Sequence, residues 1–203
     1  YRIDVSTSGS FGSFVGSYNN QTVGGTSIAI TGLTPGTTYY YRVRASNASG
    51  SSANSAAVST LLKPSAPTAV SATAVTTTGF TANWSAMAGV SGYRLDVSLN
   101  DFVSTLPAYT DLSVSGTAQS ITGLIAGTTY KYRVRSVNAS GASDNSNIIA
   151  TITVPPPPTA SPATAVTTTG FTATWVNAGV TAYYLDVSHD NFATFLAGYN
   201  NLE

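Results

Sequence analysis

The sequence predicts an all-β chain organised as tandem antiparallel β-sandwiches. Three observations carry that expectation: short runs of alternating apolar residues between glycine- and proline-rich turns, no sustained 3.6-residue period, and an internal repeat. YRIDVS at Tyr1 returns as YRLDVS at Tyr93 and YYLDVS at Tyr183, and TGLTPGTTYYYRVRASNASG from Thr31 returns as TGLIAGTTYKYRVRSVNASG from Thr122. AVTTTGFTANW from Ala74 returns as AVTTTGFTATW from Ala165, so the unit is about 91 residues long. That is the size of one small β-sandwich domain.

The middle unit, residues 67–157, reads as complete, with about seven strands taken in order as residues 68–75, 80–84, 92–98, 102–109, 117–121, 129–138 and 147–154. Their density of β-branched residues and the turns between them favour strands over helices. Alternation puts Phe80, Ala82 and Trp84 on one face, and likewise Tyr93, Leu95 and Val97, and Tyr130, Tyr132 and Val134. A single sheet cannot cover such faces, so two sheets must pack together with Trp84 and the tyrosines between them.

The flanks read differently. Residues 1–63 begin at the third strand and lack the first two, whereas residues 158–203 contain the first four strands, including the one that carries Trp175, and stop there. Half a sandwich exposes an apolar face and long strand edges. Either the 203 residues belong to a longer array or flanking halves of neighbouring molecules complete one another. Both flanks contain the Y-x-(I/L)-D-V-S strand, so joining them would duplicate strands, which favours the longer array. The linkers LLKPSAP and TVPPPPTASP are stiff and extended by composition, and are expected to hold neighbouring units apart as a semi-rigid rod.

The Trp on the second strand, the L-x-P-G-T-x-Y segment (Leu33, Pro35, Gly36, Thr37, Tyr39, and Leu124, Gly127, Thr128, Tyr130) and the Y-R-V-R strand that follows resemble fibronectin type III repeats. The resemblance spans essentially the whole chain and implies a seven-stranded, immunoglobulin-like sandwich. It also implies a tyrosine corner, in which Tyr39 and Tyr130 bond the backbone upstream. Ala126 departs from the pattern where Pro35 stands in the first unit. In its particular flavour the repeat is similar to those of large secreted surface proteins of Bacteroidota-like bacteria.

Composition excludes several functions. Charged residues make up only 8% of the chain, with eight Lys/Arg balanced by eight Asp/Glu. No basic field exists for nucleic acid or anionic lipid. No apolar run approaches the ~20 residues of a membrane span, and the absence of cysteine removes disulfides, thiolate nucleophiles and thiolate metal sites together.

Candidate chemistry is sparse. Arg2, Arg42, Arg44, Arg94, Lys131, Arg133 and Arg135 lie on the faces opposite the core residues, with Asp4, Asp96 and Asp186 among them. Cross-strand ion pairs on a solvated face are expected there, a cationic docking stripe being the functional alternative. His189, the single histidine, has Asp190 beside it but no partner for a triad or zinc site. Asp101, Asp111, Asp144 and Asp190 lack the D-x-D-x-D-G spacing of a calcium loop, and Glu203 is the sole glutamate. No cofactor and no catalysis are expected. Tyr40 points outward by alternation, and Tyr109 recurs with Tyr18 and Tyr199 near the end of the fourth strand. Tyr40 and Tyr109 are therefore the candidates for contact with glycans or proteins. The sequons at Asn20, Asn47, Asn83 and Asn138 matter only in a host with the eukaryotic-type transferase.

The expected function is an extracellular, non-catalytic repeat array serving as spacer, stalk or filament of a bacterial surface or adhesin protein. Its partners would be neighbouring repeats, identical chains, surface glycans or proteins. The alternatives are an accessory or spacer region of a secreted polysaccharide-degrading enzyme, and a strand-exchanging filament subunit.

Overall fold

The computed structural model describes residues 1–203 and is all-β apart from one short 3-10 turn. In the middle unit, β7 (Ala69–Thr73), β8 (Phe80–Trp84) and β11 (Ala118–Ile121) form a three-stranded sheet in the order β11-β8-β7. Facing it are β9 (Gly92–Ser98), β10 (Leu112–Val114), β12 (Thr129–Asn138), β13 (Gly141–Ala142) and β14 (Ile149–Ile152). Strand β12 is central, pairing β9 on one side and both β13 and β14 on the other.

Alternation places the core as the sequence predicts. Phe80, Ala82, Trp84, Tyr93, Leu95, Val97, Tyr130, Tyr132 and Val134 are all buried in one cluster between the two sheets. Trp84 packs on Tyr93 at 5.7 Å between ring centres and Phe80 on Tyr132 at 5.9 Å, both tilted. Large side chains buried this way contribute about 1.5–3 kcal/mol each, relative to exposure.

The fourth strand is corrected. Residues 102–109 are not extended; the edge strand is β10, at Leu112–Val114. The Ser98 hydroxyl at the end of β9 accepts the amides of Asn100 and Phe102, each at 3.0 Å, and donates to the Ser104 carbonyl at 2.7 Å. Those bonds, with positive φ at Asp101 and Phe102, curl the chain off the sheet edge. Pro107 then opens the 3-10 turn Pro107–Tyr109.

The last strand is interrupted between β13 and β14, where Ser143 and Ser146 maintain the ladder. Their backbone amides donate to the carbonyls of Ser136 and Val134, and their hydroxyls accept the amides of the same two residues at 3.0 Å. A side chain replaces a carbonyl twice, so β12 keeps its pairing through the irregularity. Ser52 and Ser55 do the same for Ala45 and Val43 in the first unit.

In the first unit, β1 (Arg2–Ser6), β2 (Gln21–Thr22), β3 (Thr38–Arg44) and β6 (Val58–Leu61) form one sheet in the order β2-β1-β3-β6. Strands β4 (Ser46–Asn47) and β5 (Gly50–Ser51) make a small hairpin at its end. Residues 27–30, which correspond to β11, form no strand, because the partner that β8 supplies in the middle unit is not present among residues 1–63. The third unit contains the hairpin of β15 (Ala160–Thr164) and β16 (Thr172–Trp175), and its YYLDVS segment makes a single bridge, Leu185 to Leu202. No helix is long and apolar enough to cross a membrane.

Candidate functional site

The Arg and Asp residues of β9 and β12 share a face and form the expected cross-strand ion pairs, but the carboxylate at their centre is not solvated as expected. Asp96 is only 4% exposed. The curled segment after β9 folds over it, so that its Oδ1 accepts the Asp111 amide at 2.8 Å while Oδ2 accepts from Arg133 (3.2 Å) and Arg135 (3.3 Å). The Arg133 guanidinium in turn lies 4.1 Å from the centre of the Phe102 ring. Arg94 stands directly opposite Arg135 in the register, a repulsive pairing. Asp111 relieves it by facing both, at 3.7 Å and 2.7 Å. Lys131 pairs with Asp101 on the exposed rim of the same face.

The first unit repeats this cluster. Asp4, 2% exposed, accepts the Asn20 amide at 2.7 Å and the Arg42 Nε at 2.9 Å, and Arg42 lies 4.1 Å over Phe11. Asn20 takes the place of Asp111 between Arg2 and Arg44. Burial pushes the Asp4 carboxyl up, but the Asn20 amide, Arg42 and Arg44 together outweigh it and hold its pKa below the ordinary value. In the third unit Asp186 accepts the Asn201 amide at 2.6 Å, and Phe192 lies exposed. Cation and anion are thus used internally, and the face offers no free cationic stripe.

The aromatic candidates are placed as follows. Tyr39 Oη accepts the Thr34 amide at 2.9 Å and Tyr130 Oη accepts the Ile125 amide at 3.0 Å, both from a buried ring. Trp84 is buried in the core, whereas Trp175 is 38% exposed and packs on Tyr183 at 5.6 Å. Tyr40 is half-buried, with its ring laid along the backbone at Gly9. Tyr109 is half-buried against the core, its hydroxyl accepting the Thr122 amide at 2.8 Å. Tyr18 bonds the Thr31 amide in the same manner. The Tyr109 hydroxyl therefore ties the curled segment to the chain just after β11, and Tyr18 makes the equivalent bond to Thr31.

No group of three or more His, Asp or Glu side chains is placed to hold a metal ion. His189 and Glu203 are exposed. The Asp190 carboxyl accepts from the Ser188 and Thr194 hydroxyls and the Thr194 amide, which lower its pKa to about 2. This is a closed turn. An apolar concavity of about 500 Å³ lies on the uncovered sheet of the first unit and is lined by Tyr1, Ile3, Ile28, Ile30, Tyr41 and Val43.

Sequence reasoning missed the bonded joint between the first and middle units. The linker does not hold these units apart, because its carbonyls find partners on both sides. Lys63 O accepts the Gly36 amide at 2.9 Å, while Leu62 O accepts the Asn138 Nδ2 at 2.8 Å. Pro64 and Pro67 are buried, and the Gly36 turn lies against the backbone of Ala88 and Gly89. Between the middle and third units Pro155–Pro158 is exposed, and a cleft of about 540 Å³ separates the Ala126–Gly127 turn from Ala178–Thr181.

The sequence pattern of the fibronectin type III domain matches residues 1–61 and 65–152. The chain belongs to the fibronectin type III family. Among curated proteins, it is 36% identical over 132 residues to chitinase A1 of Niallia circulans, covering 59% of this chain and 18% of that one. It is 33% identical over 208 residues to endoglucanase B of Cellulomonas fimi, covering 90% and 18%. The chain thus spans less than a fifth of the length of either relative. Among solved structures, the sixth fibronectin type III domain of human fibronectin type III domain containing protein 3 aligns with a TM-score of 0.38 at 26% identity, covering 46% of this chain and 86% of that one. The middle fibronectin type III unit is a two-sheet sandwich whose Asp96, Arg133, Arg135, Tyr109 and Tyr130 side chains are committed to internal bonds.

Proposed function

We propose that this fibronectin type III array is a non-catalytic spacer in a secreted polysaccharide-degrading enzyme, setting the distance between the modules it connects. The supporting observation is the bonded linker of residues 62–66, which joins the first and middle units. The committed charges and tyrosine hydroxyls fit the same reading, since no reactive group is left poised. Similarity to a chitinase, an endoglucanase and an exoglucanase favours this setting over an adhesin stalk.

Scattering from the 203-residue polypeptide, together with sedimentation on insoluble chitin and cellulose, tests the proposal. An elongated monomer that neither sediments with the polysaccharide nor releases soluble sugar is the expected result. Retention abolished by Tyr40→Ala or Tyr109→Ala would make the array a glycan-binding module instead, and a compact particle or filaments at high concentration would overturn the spacer reading.

A further inference from the structure

We infer that the middle unit carries a dedicated docking surface for the end of the unit before it, with Asn138 as the side chain that locks the two. The partner class is a second fibronectin type III unit of this same chain. The inference concerns how the joint is set and goes beyond the spacer role, since it holds whatever the array connects.

Asn138 ends β12 and is nearly fully buried. Its amide orientation is determined by its own partners. Oδ1 accepts the Ser140 amide at 2.9 Å, closing the turn into β13, which leaves Nδ2 to donate to Leu62 O at 2.8 Å and Gly89 O at 3.3 Å. One side chain therefore ties the linker to the turn after β8 while holding its own hairpin. Two residues earlier on the same face, the Ser136 hydroxyl donates to Ser65 O. Every bond runs to a backbone carbonyl, so the surface reads the path of the linker and not its side chains.

The backbones then meet where both partners are glycine. A Cβ on Gly89 would lie 2.4 Å from Gly36 O, and one on Gly36 would lie 3.0 Å from Ala88 O. The approach is thus closer than any other residue pair would allow. The stem of Lys63 lies against Gly141 and completes the seat. Bonds to two linker carbonyls together with a side-chain-free contact leave one relative pose of the two units.

The comparison within the chain is informative. Asn47 occupies the position of Asn138 in the first unit, and its Oδ1 likewise closes its turn by accepting the Ser49 amide at 3.0 Å. It is exposed. At the joint that follows the middle unit, the turns corresponding to Gly36 and Gly89 face each other across the cleft near Gly127 and Gly179, without touching. At the first joint, by contrast, Asn138 and Ser136 of β12 reach the linker and the Gly36 and Gly89 backbones meet.

The chain has no cysteine, so spin labels can be placed at will. With Ser13→Cys and Ala108→Cys labelled in the full chain, pulsed dipolar spectroscopy should return a single narrow distance distribution between the first and middle units. Asn138→Asp retains the acceptor for Ser140 but turns an oxygen toward Leu62 O and Gly89 O; it should broaden that distribution. Asn47→Asp should leave it unchanged. A broad distribution in the parent pair would overturn the inference without any variant, as would a narrow distribution retained in folded Asn138→Asp. Polysaccharide retention does not enter this readout, so failure of the spacer reading is seen separately.

Discussion

Asp96→Asn and Asp111→Asn remove one charge each from the same Arg135, yet they should differ several-fold in cost. Asp96 is 4% exposed and Asp111 side-chain exposure is 54%. In Asp96→Asn the amide oxygen can still accept the Asp111 amide, but Nδ2 then faces the Arg133 and Arg135 donors. Two charge-assisted bonds at 3.2 and 3.3 Å are lost. Such bonds contribute about 1.5–3 kcal/mol each when desolvated. Both arginines are about a quarter exposed, and solvent screening brings the pair down to about 2–3 kcal/mol in total. Asp111→Asn weakens its two exposed pairs with Arg94 and Arg135, at a cost of about 0–1 kcal/mol. Urea unfolding followed by Trp84 emission in a Trp175→Phe background reads the middle unit alone. With a slope of about 1–3 kcal/mol/M, the buried substitution should shift the midpoint by on the order of 1–2 M. Equal midpoints for the two variants would refute the claim that the curled segment desolvates Asp96.

Other outcomes follow from the same bonds. Tyr130→Phe should cost the middle unit about 1–2 kcal/mol by leaving the Ile125 amide without its partner, with faster hydrogen exchange at that amide as the check. Asn147 bonds the N–H and C=O of Ala69, each at 2.9 Å, so Asn147→Ala should free β7 and raise exchange along it while sparing β9 and β12. Because the folded pKa of Asp4 is depressed, its contribution is full above the ordinary value of 3.8 and is lost as pH falls below it toward the folded value. NMR-monitored unfolding of the first unit should show that slope, and Asp4→Asn should abolish it. Burial raises the Tyr132 pKa against a smaller opposing effect of the Asn83 amide. Its contribution is full below the ordinary value of 10.0 and declines as pH rises through the folded value, a slope absent in Tyr132→Phe.

The sequence by itself determined the fold class, the repeat and the inward faces. Side chains that alternate along a strand must take opposite sides of the sheet, so Tyr93, Leu95, Val97, Tyr130, Tyr132 and Val134 could be assigned to the core without coordinates. Tertiary structure decided everything that depends on a chain leaving that alternation. Asp96 is buried because Ser98 captures two amides and turns residues 99–111 back over the sheet, which no periodicity encodes. The recurrence of Phe11, Phe102 and Phe192 at the repeat spacing was a visible signal for this device, but their role needed the positive φ values to interpret it. Asn138 and Asn147 stood in the sequence only as ends of expected strands, because their partners lie 76 and 78 positions away. Local propensity reports what a residue does to its own backbone. Which distant carbonyl it meets is settled only when the sheets pack and the units join.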